Sequence, residues 1–139
     1  MTKKAMLFVV LVLLCSFLMS EVVDVEIIDN AEDTVGKVLV TKFRDVIRKS
    51  SAFKLYYGNN EPRFAVRFDT MDRYKGDNNM SGLSTIYNYT ILVIDGSGAR
   101  YFLHNQLGYA GRNTLDDVSY EIYSDLDGFV ESVKAYIAP

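Results

Sequence analysis

His104 is the only histidine in the chain and the only side chain that titrates near neutrality without perturbation. A general base needs an orienting acid and a nucleophile within reach. Asp69, Asp72 and Asp95 are the acids a hydrolase built on His104 would use, but no motif ties any of them to it, so His104 reads as a hydrogen-bonded structural residue. Gly96-Ser97-Gly98 suggests a nucleophile turn. The strained elbow of hydrolases requires G-x-S-x-G between a strand and a helix. Here Asp95 stands at the first glycine position and both flanks read as strands, so the segment is a hairpin turn. Asp125-Leu-Asp127-Gly128-Phe-Val-Glu131 has the look of a calcium loop. Setting Gly128 at the loop's sixth position places Tyr123 first and Lys134 last, where acids are required. Gly108-x-x-Gly111 lacks the spacing and lysine of a phosphate loop. With Arg112 beyond it and a helix start following, it offers at most a weak anion dock.

The tyrosines are the larger compositional signal: ten of them, with no tryptophan. Tyr56, Tyr57, Tyr87, Tyr89, Tyr101 and Tyr109 fall on or near strands, with Arg63, Arg67, Arg100 and Arg112 among them. Aromatic and basic groups interleaved in this way are used to stack single-stranded nucleic acid, but 15 basic against 18 acidic residues give a formal charge of −3, which disfavours that partner. Tyr and Arg also dominate protein interfaces. Tyr87, Tyr89, Tyr101, Tyr109, Arg63, Arg67, Arg100 and Arg112 are therefore the expected interface set. The competing reading is that many of the tyrosines are cross-strand pairs bracing the sheet.

These residues are positioned by a readable series of elements. Val22–Ile28 alternates as a strand. The polar stretch Asn30-Ala-Glu-Asp33-Thr34 starts a helix to about Lys49, with Val35, Val38, Leu39, Lys42, Phe43, Val46 and Ile47 on one face. Ser50-Ser51 ends it. Phe53–Tyr57 and Phe64–Phe68 alternate around the turn Gly58–Pro62 and predict a hairpin. Residues 72–82 form the longest loop. Leu83–Ile94 is apolar on both faces and predicts a central strand. Arg100–Leu107 is its hairpin partner, with His104 on the same face as Phe102 by period two, and Gly108–Asn113 reads as a flexible crossing. Leu115, Val118, Ile122, Leu126, Phe129, Val130, Val133 and Ile137 recur at steps of three and four, the clearest helical pattern in the chain. The expected architecture is α+β: a two-layer sandwich in the order β-α-β-β-β-β-α. Its mainly antiparallel sheet of about five strands carries both helices on one face. The first two strands are candidates for parallel neighbours.

Met1–Ser20 has Lys3 and Lys4 followed by an apolar run from Ala5 to Met19, the order of a secretory signal peptide. The run is shorter than the roughly 20 residues that span a bilayer, so a cleaved leader ranks above an N-terminal anchor. Lipidation at Cys15 ranks between them, since Leu14 stands where a lipoprotein signal carries a small residue. Residues 21–139 read as one domain. Loss of the leader removes the only cysteine and shifts the charge by two, from −3 to −5. Disulfides, a thiol nucleophile and Cys- or His-rich metal sites are then excluded from the mature chain, and no cofactor is expected. Cysteine-free export points to a periplasmic or secreted location. The triplets Asn79-Met-Ser81 and Asn88-Tyr-Thr90 read as chance matches to a glycan acceptor.

The stretch Val35–Tyr57, a helix ending at Ser50-Ser51 before Phe53-Lys-Leu55, resembles the amino-terminal α/β domain of TolB and the related lipoprotein activators of peptidoglycan synthases. The resemblance covers element order and this short run, and it carries over no functional residue. It implies a noncatalytic envelope module that contacts a partner protein. The sequence therefore raises the expectation of an exported, nonenzymatic module with an envelope or secreted protein as partner. No nucleic acid is expected, and membrane contact is expected only through the leader. A small-ligand or carbohydrate binder, with tyrosines lining a cleft near 72–82 and 108–113, is the alternative.

Overall fold

One carboxylate seats the first helix on the sheet. The computed structural model describes residues 22–137, so the leader, its cleavage and Cys15 lie outside the described residues. β1 (Val23–Ala31) runs into α1 (Thr34–Lys49) through Asp33. Asp33 is the N-cap, in extended conformation, and its Oδ2 accepts from the Gly36 N–H at 3.0 Å. Its Oδ1 accepts from the hydroxyls of Thr70 (2.6 Å) and Thr85 (3.0 Å), which lie on β3 (Arg63–Asp72) and β4 (Ser84–Ile94). Gly36 is buried against Thr70, where a Cβ would strike the threonine hydroxyl. α1 buries Val35, Gly36, Leu39, Val40, Phe43 and Ile47. Val38, expected inside, is 41% exposed, because the close approach at Gly36 turns the helix towards Val40. Lys42 lies at the seam between the helices and pairs with Asp116 at 2.7 Å.

With β2 (Phe53–Leu55) and β5 (Arg100–Gly111), the sheet is five-stranded and mixed, in the order β2-β1-β3-β4-β5. β2 and β3 both pair with β1 in parallel, while β3–β4 and β4–β5 are antiparallel hairpins. The fold is thus α+β, a sheet with both helices on one face. The expected 53–69 hairpin does not form. Leu55 and Phe64 flank the same residue, Val25, from opposite sides, so residues 56–62 carry the chain past β1 instead of turning it back. The Tyr56 N–H holds this exit by donating to the Val25 carbonyl at 2.9 Å. Alternation is identical in a hairpin and in two strands separated by a third, and the extra strand is a non-local choice.

β5 is longer than expected. Gly108–Gly111 lies in the strand, so the flexible crossing and the anion dock at Gly108-x-x-Gly111 are not formed. Gly108 pairs with Tyr87, and a Cβ there would collide with the Tyr87 ring and hydroxyl. Arg112 instead donates to the Gly82 carbonyl at 2.8 Å, tying the end of β5 to the 73–83 loop. Pairing steps from Ile91–His104 to Leu92–Phe102, so Leu103 is a bulge. That extra residue puts His104 and Phe102 on opposite faces, against the period-two expectation. The Asp95–Gly98 turn is as read: Asp95 accepts from the Ser97 and Ala99 N–H groups, and Gly98 adopts φ +85°.

α2 (Leu115–Ile137) lays Leu115, Val118, Ile122, Leu126 and Val130 on the same sheet face as α1. The main core joins both helices to Val23, Val25, Phe64, Val66, Phe68, Tyr87, Tyr89, Ile91 and Val93. Tyr123 packs edge-on against Phe53 at 5.5 Å and bonds Ser50 Oγ at 2.8 Å, locking α2 to the end of α1. Among the described residues, no helix is long and apolar enough to cross a membrane.

Candidate functional site

The two sheet faces divide the candidate residues. Beneath the helices lies a polar seam of Tyr87, Tyr89, His104 and Gln106, closed by Asp125 and Phe129 of α2. Tyr89 is 1% exposed; its hydroxyl contacts the Asp125 carboxylate and bonds Gln106 Oε1 at 3.1 Å. Burial, then the hydrogen bond and charge of Asp125, push its pKa far above the ordinary tyrosine value. Burial likewise raises Tyr87, with Glu121 and Asp125 adding to it. Both phenols therefore stay protonated at physiological pH, and Tyr89 is a donor that fastens α2 to β4. His104 stacks on Phe129, ring centroids 4.9 Å apart, and its Nε2 has no hydrogen-bond partner.

The structure brings none of Asp69, Asp72 and Asp95 to His104. Asp69 pairs with Asn88 on the opposite face. Asp72 accepts from the Tyr74 N–H, Ser81 Oγ and the Gly82 N–H; Tyr74 foremost, then Ser81, holds its pKa below the usual carboxylate value. Asp95 is lowered in the same way, first by the Ser97 hydroxyl. Asp72 and Asp95 each close a turn, while Asp69 lies within β3 and pairs with Arg67. Among the described residues, no group of three or more His, Cys, Asp or Glu could hold a metal ion.

Among the described residues, the other face carries no helix. Over β2, β1 and β3 it is charged and internally paired: Lys54–Asp24 at 3.4 Å, Arg63–Glu26 at 2.5 Å and Arg67–Asp69 at 2.9 Å. Arg63 also lies 4.5 Å over the Tyr56 ring. Over β4 and β5 the same face is mixed, with apolar positions at both ends and Asn88, Thr90 and Asn105 between them; Asn105 donates to Asn88 Oδ1 at 2.6 Å. Ala65, Leu92 and Ile94 form a small buried cluster beside Ile28. Beside it Phe102 (66%) projects into solvent, and further along the strands, past Thr90 and Asn105, so do Leu107 (71%), Tyr109 (67%) and Met71 (46%). Met71, Ile86, Leu107 and Asn88 line a shallow hollow of about 280 Å³ with Glu32, Asp69 and Thr70. At its end the Arg73 guanidinium lies 4.4 Å over Tyr109 and 5.3 Å from Tyr74.

The expected interface set is thereby split. Tyr87 and Tyr89 face the helices and are buried, Tyr101 is half-buried and bonded to Asp95 at 3.0 Å, and Arg63 and Arg67 are committed to acids. Arg112 holds the 73–83 loop. Only Tyr109 and Arg100 stand exposed on the uncovered face. A search for Tyr and Arg on strands passes over Met71, Phe102 and Leu107, and it passes over Arg73 because that residue falls in the stretch read as the 72–82 loop. Phe102 and Leu107 were already inside the expected strand, and correct face assignment would have found them.

No protein-family model and no curated protein sequence matches the chain. Solved structures do. A minor lipoprotein from Acinetobacter baumannii superposes with TM-score 0.42 and 11% identity, over 76% of this chain and 92% of that one. The PelC dodecamer from Paraburkholderia phytofirmans gives TM-score 0.40 and 13% identity, over 69% of this chain and 76% of that one. The TolB-type resemblance is not shown by these comparisons.

Proposed function

We propose that this chain is an exported, noncatalytic envelope module that works by contacting another protein through the β4–β5 half of its uncovered sheet face. The observation that carries the reading is the exposed group Met71, Leu107 and Tyr109, with Phe102 further along β5, on a face that no helix of the described residues covers. Exposed apolar side chains grouped on one surface mark interaction sites, whereas single ones are ordinary. The leader pattern of Met1–Ser20 supports export and the envelope. A photo-crosslinking amino acid at Tyr109 should capture one discrete partner in cells, while the same probe at Tyr120, exposed on α2, should not. Phe102→Asp should abolish the adduct without shifting the melting temperature. An adduct pattern that is the same from both positions would reject the reading.

A small-ligand role is the second reading, supported by the apolar floor of the hollow between Met71, Ile86 and Leu107. Its volume lies at the lower end of what drug-sized ligands occupy, roughly 300–1,000 Å³. A thermal-shift screen separates the two readings, since a ligand at 100 times its Kd adds about 2.7 kcal/mol of stability.

A further inference from the structure

β5 is the sheet's outer strand on the side away from β2. An outer strand presents unpaired N–H and C=O groups, and proteins blunt such edges with shortness, charge, proline or a covering element. The opposite edge follows this rule: β2 is three residues long and carries Lys54. β5 does not. It is 12 residues long, and after Arg100 it reads Tyr-Phe-Leu-His-Asn-Gln-Leu-Gly-Tyr-Ala-Gly, with no proline and no Asp, Glu, Lys or Arg. Among the described residues, no loop or cap backbone bonds to 101–110. The one protective device is the bulge at Leu103, which leaves 104–111 as the regular run.

We infer that this edge pairs with β5 of a second copy, antiparallel about a two-fold axis at Leu107, joining two five-stranded sheets into one. Symmetry narrows the register to two. Identical antiparallel strands must set same-face residues opposite one another, since a one-residue slip opposes the two faces. Within the bulge-free run 104–111, two seven-residue arrangements are possible, centred on Leu107 or on Gly108. Centring on Gly108 would set two glycines opposite with no side chain to pack, so the inferred one is centred on Leu107 and pairs 104–110 with 110–104. Leu107 then meets Leu107 of the second copy, and Asn105 meets Tyr109, on the uncovered face. On the helix face Gln106 meets Gly108 and His104 meets Ala110, so each larger side chain faces a small one. The chain is acidic overall and two copies repel, but the strand that would pair contributes no carboxylate to that repulsion. Pairing also covers the strand edge beside Leu107 and Tyr109, both more than 60% exposed in one copy.

The register makes the test specific. The full-length chain should sediment as a monomer–dimer equilibrium that shifts to dimer with concentration. Leu107→Lys sets two like charges directly opposite and should weaken the dimer about fivefold or more. Leu107→Glu should do the same, and an equimolar mixture of the two variants should recover a dimer at least as tight as that of the parent. In a Cys15→Ser background, Leu107→Cys should oxidise to a covalent dimer and Phe102→Cys should not, a readout that holds even if the charged variants fold poorly. A chain that stays monomeric at every concentration overturns the inference, as does a Lys/Glu mixture no tighter than either variant alone. Either result leaves the face-directed partner of the proposed function intact, since a Tyr109 adduct with the mass of a second copy is told apart from an adduct with a different protein.

Discussion

At the residue scale the titrating groups are structural, and their shifts set how stability responds to pH. Tyr87, Tyr89 and Tyr101 all have raised pKa values, the first two mainly from burial and Tyr101 from its bond to Asp95. Above pH about 10 the unfolded chain releases these phenolic protons and the folded chain keeps them. The unfolded state then binds fewer protons, so stability falls as pH rises through the ordinary tyrosine value. Asp72 and Asp95 act at the other end. Their lowered pKa values stabilise the fold above the ordinary carboxylate range, and that contribution is lost as pH falls through their folded values. Urea midpoints measured from pH 2 to 11 should give a plateau with both limbs falling. Tyr89→Phe should lower the plateau, because Asp125 loses its donor, and should make the alkaline limb shallower. An alkaline limb unchanged in slope would show that Tyr89 is not among the groups that drive it.

At the element scale, two glycines in helices separate seating from propensity. Gly36 is where α1 rests on Thr70, and a methyl group there meets the Thr70 hydroxyl and the Asp33 carboxylate that caps the helix. Gly36→Ala should destabilise by about 1–3 kcal/mol through overpacking, despite alanine's better helix propensity. Gly128 in α2 has nothing within 4 Å of a Cβ. Gly128→Ala should stabilise by about 1 kcal/mol, and chemical denaturation of the two variants reads the opposite signs directly. The same contrast shows what the sequence discloses. Helix α2 was legible because its apolar spacing is local, and the faces of β4 were legible because Tyr87, Tyr89 and Ile91 alternate with Asn88, Thr90 and Leu92. The α1 face was read slightly out of phase because contact between Gly36 and Thr70 is tertiary. The place of β2 and the bulge at Leu103 were hidden for a similar reason: each depends on a neighbouring strand, and alternation says nothing about which strand that is. The site suffered most from this. One extra residue in β5 exchanges the faces of His104 and Phe102, and with them the buried and exposed members of the candidate set.

At the scale of the whole molecule, the one-sided layering imposes a gradient of protection. β3 and β4 are paired on both edges and feed the main core with Phe64, Val66, Phe68, Tyr87, Tyr89 and Ile91. β1 is also interior to the sheet, though its partner β2 contributes only three residues. β5 is bonded along one edge, and the face it shares with β4 faces water at Phe102, Leu107 and Tyr109. Amides that open only with global unfolding exchange slowest, and those on lightly packed edges exchange fastest. Hydrogen exchange on the dilute chain should therefore rank β3 and β4 as most protected and the outward half of the β5 amides as least protected among the long strands. Raising the concentration discriminates further. Edge pairing slows the outward amides of 104–110 and leaves β2 unchanged, whereas nonspecific association through the apolar face leaves those amides exchanging as before. A face contact covers side chains, but only a paired strand bonds the outward backbone. Selective slowing along 104–110 would thus identify the strand edge as the surface where two copies meet, and leave the rest of the uncovered face open to a different partner.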